Sequence, residues 1–305
     1  MYDPQEAKKS IQYLIEYFGF KTLTPEKLQD AIKRDLEAGS DENIRTLFVS
    51  EETADLFSEE SVSTAKTIVQ REYRNESWSL NEYVRGMLYA MLSNQRGWEP
   101  IKKKKDEIEE LFHYFKNLEW IKDQCPDYFI AKIKKLKCGN MHIKSQMAAL
   151  KHNIKVLEKI AAEHGSVDSY IAESIKNHYE IALIKSFADT NGAYKLQELG
   201  PALVCEFLKY FGVNICKPDA HVLRFVGAER MGWIDRKLSQ DKEKDVYDAI
   251  RLFSDLSKDT GYSAPFLDTL VWNFCHDDGG KLGICGANPK CEGCTMPDCC
   301  KRSRE

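Results

Sequence analysis

Apolar residues recur three and four positions apart along almost the whole chain. "SIQYLIEYF" (10–18), "EYVRGMLYAML" (82–92), "IAKIKKL" (130–136), "LVCEFLKYF" (203–211) and "APFLDTLVWNFC" (264–275) each place one apolar stripe on a helix. Helix starts are marked by "TPEKLQ" at 24–29 and by "SLNEYV" at 79–84, where Ser79 and Glu82 stand at capping-box spacing. No run alternates with strand period, and no repeat or low-complexity tract interrupts the pattern. The pattern predicts an all-α fold with short connections. Boundaries are expected at "RNESWS" (74–79) and at the loop "HDDGGKLG" (276–283).

Composition places this pattern in an ordinary soluble globular protein: 305 residues, 43% hydrophobic and 30% charged, enough for a full-sized core. No window approaches 18 consecutive apolar residues, so no membrane-spanning helix is expected. The opening "MYDPQEAKKS" lacks a basic stretch followed by an apolar one, so no secretory signal is expected either. The expected location is cytoplasmic, on the nucleoid if the cell is prokaryotic. Disulfides are rare there, so ten cysteines need another use.

Charge sharpens the picture. The net charge is −4, but residues 1–75 carry 15 acids and 10 bases, which leaves +1 for the remainder. Between Asp127 and Glu158 there is no acid, yet Lys132, Lys134, Lys135, Lys137, Lys144, Lys151 and Lys155 all fall there. Such a stretch is either a solvated helix face or a one-sided field that attracts a polyanion.

Five cysteines are scattered: Cys125, Cys138, Cys205, Cys216 and Cys275 read as small buried hydrophobes. The other five crowd into "ICGANPKCEGCTMPDCC" (284–300). Four thiolates from one short loop suit a tetrahedral zinc or a cubane iron–sulfur cluster, and spacing alone does not separate the two. Upstream, "LQELGPALVCEFLKYFGVNICKPDAHVLRF" (196–225) reads as a tight turn through Gly200 and Pro201, with a helix ending near Leu196 before it. A second helix follows and closes at Gly212. Backbone amides at such a turn and helix start can hold a phosphate. Asp219 then precedes "AHVLRF", where taken alone it is an N-cap.

These residues resemble the helix-hairpin-helix (HhH-GPD) DNA glycosylase superfamily, in its endonuclease III-like branch. "LQELGPALV" is similar to the family's hairpin, and "KPDAHV", whose Asp219 lies seventeen residues after Ala202, to the element that carries its catalytic aspartate. "YAMLSNQRGWEPI" (89–101) is similar to the segment whose glutamine fills the space of an extruded base, and Gln95 takes that position. Cys285-x5-Cys291-x2-Cys294-x5-Cys300 comes within one residue of the branch's cluster motif, with Cys299 as the fifth thiol. The matches run in family order over residues 80–300.

The resemblance implies a two-lobed helical fold with a C-terminal iron–sulfur loop. Its parts would be an N-terminal acidic helical extension (1–75), a helical-barrel domain with the DNA-binding hairpin (76–211) and a cluster domain (212–305). It implies a base-excision N-glycosylase acting, as a monomer, on double-stranded DNA that carries a damaged or mispaired base. Asp219 would be catalytic. Gln95 and Trp98 would fill the gap, while Gly200, Ala202, Lys134, Lys135 and Lys137 would bind the backbone. A [4Fe–4S] cluster would sit on Cys285, Cys291, Cys294 and Cys300, with Cys299 a spectator. Two positions depart from the family. Glu198 replaces the first hairpin glycine, and Ala202 stands where bifunctional members hold a Schiff-base lysine, which implies a monofunctional enzyme with Lys217 as the remaining amine nearby. A protein that keeps the fold and binds nucleic acid without the chemistry is the alternative.

Overall fold

The computed structural model describes residues 3–276, 283–294, 296 and 300, without the side chains of 52, 55–62 and 293. Its described residues form α-helices and no β-strand; one isolated bridge joins Phe20 to Phe48. In chain order the helices are α1 (Pro4–Tyr17), α2 (Pro25–Ala38), α3 (Glu42–Arg45), α4 (Glu51–Arg74), α5 (Leu80–Leu92), α6 (Glu99–Lys102), α7 (Lys105–Leu111) and α8 (Leu118–Asp123). They continue as α9 (Pro126–Lys135), α10 (Ile143–His164), α11 (Val167–Lys176), α12 (Glu180–Ala188), α13 (Pro201–Lys209), α14 (Ala220–Val226), α15 (Glu243–Thr260) and α16 (Ala264–Cys275). All five apolar stripes lie on helices, and α16 occupies the same span as its stripe.

The caps follow the side chains. Thr24 accepts from the Lys27 amide at the start of α2, and Ser79 and Glu82 form a reciprocal capping box on α5. Gly212 stops the segment after α13 at φ +72°, and a Cβ there would lie 2.8 Å from the Thr67 carbonyl oxygen. One expectation is corrected. The helix before the hairpin ends at Ala188, not near Leu196. The chain instead folds back along the end of α12, where the Tyr194 and Leu196 amides donate to the Ser186 and Phe187 carbonyls. These bonds satisfy the last carbonyls of α12 and leave 189–200 as a hydrogen-bonded loop.

The chain divides into two compact units, residues 1–76 with 208–305, and residues 77–207. In the first, Phe274 meets Tyr17 edge-on with centroids 5.1 Å apart, and Phe225 and Phe253 are fully buried. The Tyr262 hydroxyl donates to the Leu23 carbonyl, and the Arg71 side chain to the Phe211 carbonyl, so the first 76 residues are bonded into this unit. In the second unit, Phe112 stacks on Phe115 and Phe129, while Phe187 and Tyr83 pack against Phe207.

Candidate functional site

In the unit of residues 77–207, three sequence-predicted segments are tied together by hydrogen bonds. The first is the turn after α5. Gln95 is exposed and held at φ +50°, a left-handed conformation that non-glycine residues seldom adopt. Its mounting is polar and buried. The Asn140 amide donates to the Met91 and Leu92 carbonyls and to the Gln146 side-chain oxygen, and Gln146 in turn donates to the Met91 carbonyl at 2.8 Å. These bonds satisfy the last carbonyls of α5, where the turn begins.

The second is the end of α9. Lys134, Lys135 and Lys137 are exposed, and Lys137 sits at φ +58°. The Arg96 guanidinium, one residue past Gln95, donates to the Lys137 and Gly139 carbonyls. The Gln95 turn and the lysine run are thus joined through one side chain. Met141, 86% exposed, follows Asn140 directly. An apolar side chain so exposed is the feature that periodicity missed; its only sequence signal is a Met in a polar turn. Trp98, by contrast, is half-buried and meets Tyr89 edge-on at 5.9 Å.

The third is the hairpin. Asn153, fully buried on α10, donates to the Gln197 carbonyl and accepts from the Gln197 amide, 2.9 and 2.7 Å. Lys195 spans the loop, its ammonium donating to the Ala188 and Leu199 carbonyls. Burial pushes this amine down, against the charges of Asp189 and Glu198. Glu198 takes φ +63°, and its carboxylate accepts from the Ser145 hydroxyl at 2.7 Å. Gly200 is exposed, and a Cβ there would meet nothing within 4 Å. Among the described residues no group accepts from the Gly200 or Ala202 amides.

In the unit of 1–76 and 208–305, Asp219 caps α14. Its Oδ1 accepts from the His221 and Val222 amides at 2.8 and 3.1 Å, and no described group donates to Oδ2. The loop before it is pinned at three places. The Phe211 carbonyl accepts from Arg71, Asn214 accepts from the Ala264 amide at 2.7 Å, and the Lys217 amide donates to Asp268 at 2.8 Å. The same Asp268 oxygen pairs with the Lys209 ammonium at 2.7 Å, both side chains being buried. Burial pushes the Asp268 carboxyl up, Lys209 and the Lys217 amide oppose it, and the nearby charge of Asp219 adds to the rise.

The described cysteines are all free thiols. The Ile284 and Cys285 amides both donate to the Phe274 carbonyl, which sets Cys285 beside the end of α16. A hydrogen bond from Cys275 draws the Cys285 thiol down to about 7, against burial, and Arg230 and Arg224 add to the effect. Burial pushes Cys294 up, and so do the nearby charges of Cys285, Cys300 and Cys291. Cys125 is exposed, contrary to the buried reading, because it precedes Pro126 at the surface start of α9; the other scattered cysteines are buried. Cys299 and the tail 301–305 lie outside the described residues.

Two observations bear on whether these thiols fit an iron–sulfur cluster. Buried guanidinium nitrogens of Arg224 (Nη1) and Arg230 (Nε) lack a hydrogen-bond partner among the described residues, and both arginines act on Cys285. An anionic group beside Cys285 would satisfy them. Among the described residues, however, no three His, Cys, Asp or Glu donors converge at metal-binding distance. The donor chemistry fits a cluster; a closed ligand geometry is not present among the described residues. Comparison of the chain with protein-family models, with curated proteins and with solved structures returns no match.

Proposed function

We propose that the chain is a monofunctional DNA N-glycosylase of base excision repair, acting on double-stranded DNA that carries a damaged or mispaired base. The observation that carries this reading is the joining of the Gln95 turn, the Lys134–Lys137 run and the 196–202 hairpin within one unit, through Arg96, Asn140 and Asn153. Each segment then has a role. The free amides of Gly200 and Ala202 and the exposed lysines hold phosphates. The target nucleotide rotates out of the stack, and Gln95, with Trp98 and the exposed Met141, fills the gap.

Asp219 acts on the sugar. Its Oδ1 is committed to two amides, which fixes the rotamer; Oδ2 is the oxygen left to stabilise positive charge at C1′ or to take a proton from water. No amine stands at Ala202, and the Lys195 ammonium is engaged by two carbonyls. A [4Fe–4S] cluster would be held by Cys285, Cys291, Cys294 and Cys300, and when bound it cross-links the 285–300 loop covalently. A binding-only protein is the second reading, and it draws on Glu198, whose carboxylate lies in the phosphate-binding hairpin.

A panel of duplexes, each with one lesion, tests the proposal. At least one strand breaks after alkali and stays whole without it, and borohydride traps no adduct. Trapping that is lost in Lys217→Ala or Lys195→Ala would overturn the monofunctional part. No breakage on any lesion would leave the binding-only reading.

A further inference from the structure

We infer that Asp268 is a positioning residue for Asp219, acting through the backbone amide of Lys217. The inference rests on the reading of Asp219 as the group that acts on the sugar. Asp268 lies in the middle of α16 and is 3% exposed. A buried carboxylate paired with a buried lysine is costly to keep unless something uses it, since apolar residues of like volume often serve stability as well. Here one oxygen of Asp268 does two things. It neutralises Lys209, and it accepts the Lys217 N–H at 2.8 Å.

Lys217 is two residues from Asp219, and the Asp219 amide donates back to the Lys217 carbonyl at 2.8 Å. That bond closes a tight turn over the buried Pro218. The peptide of Lys217 is therefore held on one side by α16 and on the other by the N-terminus of α14. The neighbouring ties lie further back along the loop, where Asn214 accepts from the Ala264 amide at 2.7 Å and the Cys216 thiol lies 3.9 Å from the Ala249 carbonyl. Lys209, at the end of α13, pairs with the same oxygen and opposes the upward push of burial on the Asp268 carboxyl. Asp219 is thus placed by a rigid tie from the core, and its second oxygen needs no reorganisation when the sugar arrives.

Two charge-free double variants separate the tie from the ion pair. Lys209→Met with Asp268→Asn keeps an oxygen acceptor for the Lys217 amide; Lys209→Met with Asp268→Leu does not. The expected result is a single-turnover rate at saturating lesion DNA within about threefold of wild type for the first. For the second the rate is down roughly tenfold to a hundredfold, with the DNA dissociation constant unchanged in both. Equal rates for the two would overturn the inference, whether both are fast or both slow. Should the leucine variant not fold, amide hydrogen exchange in the wild-type chain decides: slow exchange at Lys217 is expected, and exchange as fast as at an exposed loop amide would overturn the tie. If wild type releases no base, or Asp219→Asn releases it normally, the reading of Asp219 fails instead.

Discussion

Glu198 stands at a position where a glycine is expected and adopts the conformation a glycine would supply, φ +63°. For an L-residue that conformation costs about 1–2 kcal/mol, and the Ser145 hydrogen bond offsets part of it. The carboxylate is therefore held in the hairpin, where it would oppose a phosphate bound as proposed. Replacing it separates the two effects. Glu198→Gly removes both the strain and the charge, so its thermal midpoint is expected at or slightly above wild type. Its DNA affinity at low salt should rise roughly threefold to tenfold, since one repulsive charge is gone. Anisotropy titrations check this, and weaker binding would mean that phosphates do not approach Glu198. Asp219 teaches the same lesson differently. The sequence offered an N-cap and a catalytic aspartate as rivals, yet the side chain has two oxygens, and capping occupies only Oδ1.

The helices that were legible carry an apolar stripe or a side-chain cap of their own. The capping box on α5, the Thr24 cap on α2 and the Asp219 cap on α14 are local devices, read from three or four neighbouring residues. What joins the elements was not legible. Asn153 to Gln197, Arg96 to Gly139 and Asp268 to Lys217 span 44, 43 and 51 residues, and nothing in periodicity marks a buried Asn or Asp as a clamp. The end of α12 was misplaced for a related reason: Leu196 is buried like a helix residue, but by a loop folded back on that helix.

At this scale the lysine run makes a separable prediction. Lys134, Lys135 and Lys137 are exposed at the end of α9, so replacing all three with Gln should leave the fold intact. It should flatten the plot of log K against log salt by roughly 0.9 for each lysine that meets a phosphate. An unchanged slope would mean that the run is only a solvated face.

For the whole molecule, the grouping of residues 1–76 with 208–305 had no signal in the sequence, because it is made by contacts between distant parts of the chain. Tyr262 reaches Leu23 across 239 residues, and Tyr13 and Tyr17 pack on Phe274. The acidic N-terminal helices and the cysteine loop thus belong to the same unit. That loop carries the cofactor prediction. Purified anaerobically, the protein is expected to be brown, with about four irons per chain. Cys300→Ser should lose the iron and Cys299→Ser should keep it. A colourless protein with about one zinc per chain would contradict the cluster.

If Asp219 breaks a glycosidic bond, the freed base is the most direct sign of it. Duplex DNA damaged by oxidation and by alkylation is incubated with wild type or with Asp219→Asn, and the small-molecule fraction is read by mass spectrometry. Asparagine keeps the α14 cap through its own oxygen, so both proteins should fold and bind the DNA equally. A modified base released by wild type and at least a hundredfold more slowly by Asp219→Asn is the predicted result. Equal release by both proteins, or none by either at concentrations that saturate binding, would contradict the account.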